Sequence, residues 1–435
     1  MSNIQILRFL TAGSVDDGKS TLIGRLLYDC RALPGDTLEF LEKPSNLLPD
    51  GSVNLALLTD GLRAEREQGI TIDIAHKYFA TLKRKFIIAD APGHVQYTRN
   101  MVTGASNSDL VVILIDARHG VIEQTRRHSF IAALLGIKHF VVAINKIDLM
   151  NWDESVFNKI KADYQSFLPQ LDSIHNESAQ RSVHFIPLSA LRGDNVVNSS
   201  AELAWYKGPT LLEILENAPV QEDANLTDPR FPIQLVIRPQ SPEYPDYRGF
   251  AGRVASGVFK VGQGIVAQPS GLTSHIKSID GLQGPQGEAF AGQSVTITLA
   301  DEIDISRGDL LTVADESQPV NYQKVEAWIC WTDHKAARLG GRYLLRQTSR
   351  TVRTILDTVE SILDIATLQE AEGEKELKLN DIARVELRLA SPIAADPYVS
   401  NRKTGAFILI DEGTNLTVAA GVILGAGKED PEYEV

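Results

Sequence analysis

Hydrophobic residues in the first half of the chain form short continuous runs, separated by segments in which apolar residues have helical spacing. Apolar runs of strand length without polar interruption are typical of parallel strands covered on both faces. The apolar runs are continuous at residues 86–89, 110–115 and 140–144, and the stretches at 4–12 and 184–188 are predicted as the first and last strands. The helical spacing predicts helices over residues 21–29, 123–135, 154–167 and 211–216. The alternation predicts a doubly wound α/β domain with a mostly parallel sheet and helices on both faces.

The pattern changes after Pro219, where a polar segment without periodicity has the character of a linker. Short β-type runs follow it, alternate with Gly-rich turns and predict antiparallel barrels. They span residues 234–237, 252–257, 294–299 and, after a polar break at 315–319, residues 327–331, 381–387 and 406–411. We therefore predict an α/β domain over residues 1–222, β-barrels over 228–316 and 321–428, and an acidic tail over 429–435.

Composition narrows the functional classes. The formal net charge of −13 argues against a large nucleic-acid-binding surface, so we expect no nucleic-acid partner. The N-terminus has no basic and apolar leader, and no run reaches the length of a membrane span. The two cysteines, Cys30 and Cys330, lie in different predicted domains and are expected to be reduced. We expect a cytoplasmic protein without a membrane partner.

The turn between the first apolar run and the first helix fits the phosphate-binding pattern G-x-x-x-x-G-K-[ST]. The predicted nucleotide-binding residues here are Gly13, Ser14, Val15, Asp16, Asp17, Gly18, Lys19, Ser20 and Thr21. Backbone N–H groups of this loop are expected to bind the β-phosphate, helped by the N-terminus of the following helix. Lys19 is expected to bridge the β- and γ-phosphates, and Ser20 to ligate Mg²⁺.

The segment Asp90-Ala91-Pro92-Gly93 follows the second apolar run. A carboxylate at that point can hold the Mg²⁺ shell, usually through water, so Asp90 is a predicted metal residue. Gly93 leaves room for its N–H to contact the γ-phosphate. Alone, this segment would be an ordinary turn, and its position behind a phosphate loop is what favours the functional interpretation.

Asn145-Lys146-Ile147-Asp148 follows another buried strand and predicts guanine specificity. The Asp148 carboxylate can accept the ring and exocyclic N–H groups of guanine, whereas adenine presents the wrong edge. Asn145 would brace the site, and the Lys146 stem would cover the base. Ser189-Ala190-Leu191 follows the last strand, where a backbone N–H can reach guanine O6. This motif supports guanine recognition only because of its position.

Two further residues are candidates for the hydrolysis step. Thr71 lies in the segment before the second strand, where a hydroxyl can join the Mg²⁺ shell and an N–H the γ-phosphate, in the triphosphate state only. His94 follows Gly93 directly and is expected to orient the attacking water. Together with Lys19, these residues predict a protein that binds and hydrolyses GTP with Mg²⁺.

The His after Asp-x-Pro-Gly, the Gln-Gly-Ile-Thr-Ile segment at 68–72 and the two barrels resemble the translation-factor class of GTPases. Within that class the chain resembles the large, GTPase subunit of bacterial sulfate adenylyltransferase, or ATP sulfurylase. The segments that carry this resemblance are residues 8–27, 93–101, 123–129 and 247–252.

The resemblance implies a heteromeric enzyme in which a smaller subunit makes adenylyl sulfate and pyrophosphate from ATP and sulfate. GTP hydrolysis on this chain would drive that uphill reaction forward. The sequence contains neither His-x-Gly-His nor Ser-Gly-Gly-x-Asp-Ser, so the adenylyl site is expected on the other chain. In some relatives an adenylyl-sulfate kinase domain follows the second barrel, which makes such a kinase a candidate further partner.

Two other functions are compatible with a GTP site. A translation factor binding aminoacyl-tRNA and the ribosome would share the site and the barrels. Asp17, the segment 96–99 and the absence of a basic surplus favour the sulfate adenylyltransferase interpretation. A regulatory GTPase without a coupled reaction would need no obligate catalytic partner and no large barrel surface.

Overall fold

The computed structural model describes most of the chain. The described residues are 5–41, 43, 53–58, 75–92, 98–172, 174, 181–219, 225–239, 242, 246–372 and 376–428. Thr71, Gly93 and His94 lie outside these ranges, so their roles stay predictions. The chain divides into two compact units, Met1–Val220 with Asp364–Gln369, and Gln221–Leu363 with Glu370–Val435.

The first unit is built on a six-stranded sheet. Its strands are β1 (Ile6–Ala12), β2 (Ala75–Ala80), β3 (Lys85–Asp90), β4 (Leu110–Asp116), β5 (His139–Asn145) and β6 (Ser182–Pro187). Their order is β2-β3-β1-β4-β5-β6, and every neighbouring pair is parallel except β2–β3. All seven residues of β4 are buried, as the uninterrupted apolar run predicts for a strand covered on both faces.

Helices connect these strands. They are α1 (Lys19–Asp29), α2 (Gly35–Leu41), α3 (Thr98–Ala105), α4 (Glu123–Leu134), α5 (Glu154–Asp172) and α6 (Leu211–Asn217), with 3-10 turns at Leu55–Leu58 and Ile147–Met150. Helix α5 extends to Asp172 and not to 167 as predicted, because Phe167 and Leu171, one turn apart, are both buried. Helix α6 begins with a capping box, in which Thr210 and Glu213 exchange backbone and side-chain hydrogen bonds.

A first barrel occupies the beginning of the second unit. Its strands are β7 (Phe231–Ile237), β8 (Gly249–Arg253), β9 (Val258–Lys260), β10 (Gly264–Gln268), β11 (Leu272–Gly281), β12 (Gly284–Gln286), β13 (Glu288–Phe290), β14 (Ser294–Leu299) and β15 (Leu310–Val313). Six of them close in the order β10-β15-β7-β8-β14-β11, and β11 pairs back to β10. The run predicted at 252–257 is different: β8 ends at Arg253, and the Ser256 N–H and carbonyl pair with the backbone of Arg230.

A second barrel follows. Its strands are β16 (Val320–Trp331), β17 (Ala337–Arg338), β18 (Arg342–Gln347), β19 (Arg350–Asp364), β20 (Gln369–Glu372), β21 (Glu376–Leu377), β22 (Ile382–Ala395), β23 (Ala406–Asp411) and β24 (Thr417–Ala426). The closed ring has the order β18-β23-β24-β16-β22-β19, and β19 pairs back to β18. The predicted fold class, an α/β domain followed by two antiparallel barrels, is confirmed.

Two smaller expectations concern membranes and thiols. Among the described helices, none combines the length and the apolar character that a membrane crossing needs. Cys330 is buried and Cys30 is half-buried, and both are free thiols. Burial raises the pKa of the Cys30 thiol to about 11, with Asp29 and Glu216 adding to the effect, which disfavours the nucleophilic thiolate at neutral pH.

Candidate functional site

The candidate site lies where the parallel strands end. The turns after β1, β3, β4, β5 and β6 all leave the same edge of the sheet, because parallel strands share one direction. The predicted phosphate loop follows β1, Asp90 is the last residue of β3, and Asn145 is the last residue of β5. The topology therefore brings together segments that are far apart in the sequence.

The phosphate loop has a backbone that few residues can adopt. Asp16 and Gly18 have φ of 65° and 93°, in the left-handed region. A Cβ on Gly18 would lie 2.5 Å from Asn145 Nδ2, so the site requires glycine here for both conformation and space. Burial raises the pKa of the Asp17 carboxyl, although the Ser14 N–H that it accepts and the Lys19 charge oppose this.

Lys19 points back over this loop. Its Nζ donates to the carbonyl oxygens of Gly13 and Ser14, at 2.9 and 2.8 Å. The residue is only 7% exposed. Burial lowers the pKa of the Lys19 ammonium, and the charges of Asp90 and Asp17 oppose this shift. A desolvated cation surrounded by loop oxygens is well suited to exchange them for phosphate oxygens.

The first turn of α1 has unused hydrogen-bonding capacity. Its N-cap residue, Gly18, offers no side-chain hydrogen bond, and the turn contains no acidic residue. The N-terminal N–H groups of such a helix are a favourable environment for an anion. Ser20 and Thr21 lie in this turn and are half-buried, while the Asp90 carboxylate accepts a hydrogen bond from the Thr11 hydroxyl at 3.0 Å.

Asn145 joins three of the loops. Its Nδ2 donates to the Asp17 carbonyl oxygen at 2.7 Å, and its Oδ1 accepts the Ala190 N–H at 2.9 Å. The residue is fully buried, so both bonds are shielded from water. Asn145 therefore links the phosphate loop to the turn after β6, and the Ala190 N–H is already used within the protein.

Lys146 is held by a residue that the sequence reasoning missed. Its Nζ lies 3.0 Å from Asp116 Oδ2 and also donates to the Asp16 carbonyl oxygen. Burial alone would raise the pKa of the Asp116 carboxyl, but hydrogen bonds from Arg118 and the charge of Lys146 outweigh it and hold the pKa well below its usual range. The available signal was an Asp at the end of an apolar run, which is also how Asp90 was found.

Asp148 is the residue whose surroundings most clearly call for a ligand. Its Oδ1 is buried and accepts no hydrogen bond from any residue that the structure describes. A buried carboxylate oxygen without a donor is costly in free energy unless something else supplies one. Guanine offers two adjacent N–H donors that would do so.

The turn after β6 completes the site. Ser189 is buried and its hydroxyl accepts the Arg192 N–H at 3.3 Å, whereas Leu191 is 44% exposed. The structure thus gathers the phosphate loop, Asp90, Asn145–Asp148 and the Ser189–Leu191 turn at one sheet edge. These features define the class: a P-loop domain whose phosphate loop and motif turns meet at one sheet edge.

Comparison with known proteins agrees with this class. Residues 4–221 match the family described as the elongation factor Tu GTP binding domain, and residues 324–424 match the GTP-eEF1A C-terminal domain-like family. The first unit is therefore a GTP-binding domain of the translation-factor type.

Relatives that match nearly the whole of this chain identify a more specific family. A sulfate adenylyltransferase subunit 1 from Cellvibrio japonicus (strain Ueda107) is 54% identical over 97% of this chain and 87% of that protein. One from Teredinibacter turnerae (strain ATCC 39867 / T7901) is 51% identical over 97% of this chain and 88% of that protein. A bifunctional enzyme CysN/CysC from Mycobacterium tuberculosis (strain CDC 1551 / Oshkosh) is 51% identical over 96% of this chain and 67% of that protein. The chain belongs to the sulfate adenylyltransferase subunit 1 family, which confirms the resemblance seen in the sequence.

Proposed function

We propose that this chain is the GTP-hydrolysing, energy-coupling subunit of a sulfate adenylyltransferase. The observation that carries the nucleotide part is the buried, donorless Asp148 Oδ1 at the same sheet edge as the phosphate loop. The coupled reaction is inferred from the family to which the chain belongs. The word "subunit" in the relatives' names supports a partner chain. That partner, in a heterodimer or larger assembly, is proposed to be the smaller adenylyltransferase subunit.

The proposed coupled reaction balances as follows. A sulfate oxygen attacks the α-phosphorus of ATP on the partner, an O–P bond forms, and the bond to the departing pyrophosphate breaks. The product, adenylyl sulfate, contains a phosphate–sulfate anhydride whose formation is strongly unfavourable. Hydrolysis of GTP to GDP and phosphate on this chain would provide the driving force. An adenylyl-sulfate kinase as a further partner stays a prediction.

The chain's own groups have distinct proposed roles in binding GTP. The loop N–H groups and the start of α1 hold the β-phosphate, and Lys19 moves from the loop carbonyls to the β- and γ-phosphates. Asp148 accepts the guanine N–H groups, with Asn145 fixing the loops around it. Lys146, held by Asp116, covers the base.

The oxygen donors present fit Mg²⁺. Ser20 in the first turn of α1 and Asp90 at the end of β3 are hard oxygen ligands, and Thr71 is the proposed third. The described residues contain no cluster of three or more His, Cys, Asp and Glu side chains, which agrees with an ion held largely by phosphates and water. When bound, Mg²⁺ neutralises charge on the β- and γ-phosphates.

Thr71 and His94 are proposed for the hydrolytic step. Thr71 would sense the γ-phosphate through its N–H and, with Gly93, report the triphosphate state. His94 would orient the water that attacks the γ-phosphorus. Both proposals rest on sequence position, next to a site whose remaining parts meet in space.

The test is GTP turnover by the purified chain, alone and with the smaller subunit, ATP and sulfate, with adenylyl sulfate assayed in parallel. We expect stimulated turnover and GTP-dependent adenylyl sulfate. Stimulation by ribosomes with aminoacyl-tRNA, and none by the smaller subunit, would instead support a translation factor. In the same assay His94→Ala should leave GTP affinity unchanged and slow turnover by about a hundredfold or more; wild-type turnover by this variant would remove His94 from the mechanism.

A further inference from the structure

Helix α1 contacts the base-recognition turn through Arg25, a residue with no role in the site as described so far. Arg25 lies six residues after Lys19, or about 9 Å further along the helix axis. Its Nε donates to the Ala190 carbonyl oxygen at 3.2 Å, and its Nη2 donates to the Leu191 carbonyl oxygen. One guanidinium therefore holds two consecutive carbonyls of the turn after β6.

The guanidinium is itself positioned. Its Nη1 lies 3.4 Å from Asp29 Oδ1, one helical turn further on, and both side chains are less than one-fifth exposed. Gly193, with φ of 88°, lies beside the arginine stem, and a Cβ there would be 3.4 Å from Arg25 Cδ. Nη1 thus holds the Arg25 guanidinium to its own helix, while Nε and Nη2 bond to the turn.

The backbone N–H groups of this turn show what the two bonds from the Arg25 guanidinium do. The N–H groups of Ser189, Arg192 and Gly193 bond within the turn, and the Ala190 N–H bonds to Asn145 Oδ1. Among the five amides from Ser189 to Gly193, only that of Leu191 donates to none of the described residues. This N–H shares one rigid peptide plane with the Ala190 carbonyl that Arg25 holds.

We propose that Arg25 is a positioning residue for guanine recognition: it fixes the Ala190–Leu191 peptide plane so that the Leu191 N–H is the donor to guanine O6. The inference rests on the proposed GTP site. A cation bonded to the carbonyl oxygen also polarises the amide and strengthens its N–H as a donor. Base recognition is thereby tied to the helix whose first turn carries Lys19 and Ser20.

The test separates the two edges of the base. Wild type, Arg25→Met and Asp148→Asn are titrated calorimetrically with GTP, with 6-thio-GTP, in which a weakly accepting sulfur replaces O6, and with ITP, which lacks the 2-amino group. Wild type should prefer GTP over both analogues. In Arg25→Met, the ratio of the affinity for GTP to that for 6-thio-GTP should fall about tenfold. The ratio of the affinity for GTP to that for ITP should stay as in wild type. Asp148→Asn should show the opposite pattern.

Two further variants control for folding and charge. Asp29→Asn removes the charge but retains a side-chain oxygen that can accept the Arg25 Nη1–H, so both bonds from Arg25 to the turn should persist with the wild-type preferences. Arg25→Lys keeps the charge but replaces the planar guanidinium by one nitrogen, which cannot hold the Ala190 and Leu191 carbonyls and Asp29 in the same geometry. It should lose part of the preference over 6-thio-GTP, and it tests the proposal if Arg25→Met does not fold.

Three results would overturn the proposal. They are an unchanged preference over 6-thio-GTP in Arg25→Met or Arg25→Lys, an equal loss of affinity for all three nucleotides, and a wild type that does not discriminate against 6-thio-GTP. A wild type that binds no GTP would refute the nucleotide site itself, and this inference with it. Failure of the site and failure of Arg25 are thus distinguishable.

Discussion

The GTP site and the junction between the two barrels are both rich in buried polar groups, yet the groups are used differently. At the junction, Arg230 is 1% exposed and forms two bonds to Asp396, at 3.0 Å from Nε and 2.9 Å from Nη2. Its Nη1 donates to the Ser317 carbonyl oxygen at 2.8 Å, and the Thr404 hydroxyl donates to Asp396 at 2.6 Å. Every nitrogen of this guanidinium has a partner inside the second unit.

The same junction continues through neutral groups. Asn401 Nδ2 donates to the Ser256 hydroxyl at 2.8 Å, and that hydroxyl donates to the Asp228 carbonyl oxygen. Ser256 belongs to the first barrel and Asn401 to the second, so the network joins two separate hydrophobic cores. It contains the paired, fully bonded arrangement in which buried charge is tolerated.

Some hydrogen-bonding groups among the described residues of the nucleotide site have no protein partner. Across the portion of the chain that the structure describes, Asp148 Oδ1 and the Leu191 N–H have no protein partner, and α1 begins without a side-chain cap. Polar density therefore does not by itself mark a binding site. What distinguishes the site is that unused hydrogen-bonding capacity lies at the same sheet edge as the phosphate loop.

The largest expected effect separates binding from stability. Lys19→Ala removes the cation proposed to contact two phosphates and should weaken GTP binding by at least about a hundredfold. Its unfolding transition without nucleotide should change much less, because removing the buried cation also removes its desolvation cost, which offsets the lost carbonyl bonds and the lost attraction to Asp17 and Asp90. Calorimetric titration and urea unfolding would measure the two quantities, with the exposed Lys159→Ala as the control. GTP affinity retained by Lys19→Ala would contradict the site.

The barrel junction should behave in the opposite way. Arg230→Met leaves the Asp396 carboxylate buried without its cation, which costs about 3–5 kcal/mol of unfolding free energy. GTP affinity should be unchanged, because no group of the nucleotide site is altered. Urea unfolding and nucleotide titration of the same sample would test both statements.

A double variant refines this prediction. Arg230→Met with Asp396→Leu removes both charges and should recover part of the lost stability, because no buried charge is left unpaired. A double variant less stable than Arg230→Met would show that packing, and not the ion pair, dominates the junction.

The smallest effect concerns His128, which lies on α4 in the first unit and contacts Gln124 Nε2 at 2.9 Å. Burial lowers the pKa of His128 to about 3, with further contributions from Lys19 and Arg127. Below the unfolded pKa of about 6.5, the unfolded chain takes up a proton that the folded chain does not. This contribution to stability is complete above pH 6.5 and is lost as the pH falls, by about 2 kcal/mol at pH 5.

Urea unfolding of wild type and His128→Gln at pH 7 and pH 5 would measure this contribution. The loss of stability on acidification should be about 2 kcal/mol smaller in the variant, because glutamine does not titrate. Equal losses in both proteins would mean that His128 is not the group responsible.

The sequence predicted well what is local. Continuous apolar runs identified β3, β4 and β5, and less regular apolar stretches identified β1 and β6. The spacing of Leu22, Leu26 and Leu27 identified α1, although the helix begins two residues earlier, directly after Gly18. Strand β2 was missed because it lies at the sheet edge, where half-buried or buried residues alternate with exposed ones and no apolar run forms. Residues such as Lys19 and Asp148 could be found because their motifs are contiguous.

Residues that act across long separations could not be found in this way. Arg25 bonds to carbonyls 165 and 166 positions away, and Arg230 pairs with Asp396 at a separation of 166. Asp116 has meaning only once β4 and β5 are neighbours and Lys146 is placed against it. Such pairings follow from topology, which hydrophobic periodicity does not encode.

The position of β24 in the second barrel has a consequence for how the protein is made. This strand, Thr417–Ala426, pairs with both β16 and β23, so the ring stays open until it is added. Val325 and Ala426, which pair directly, are 101 residues apart. On a ribosome, the barrel therefore cannot close until the chain has been synthesised through β24. During that interval β16 exposes an unpaired edge, to which another chain can pair.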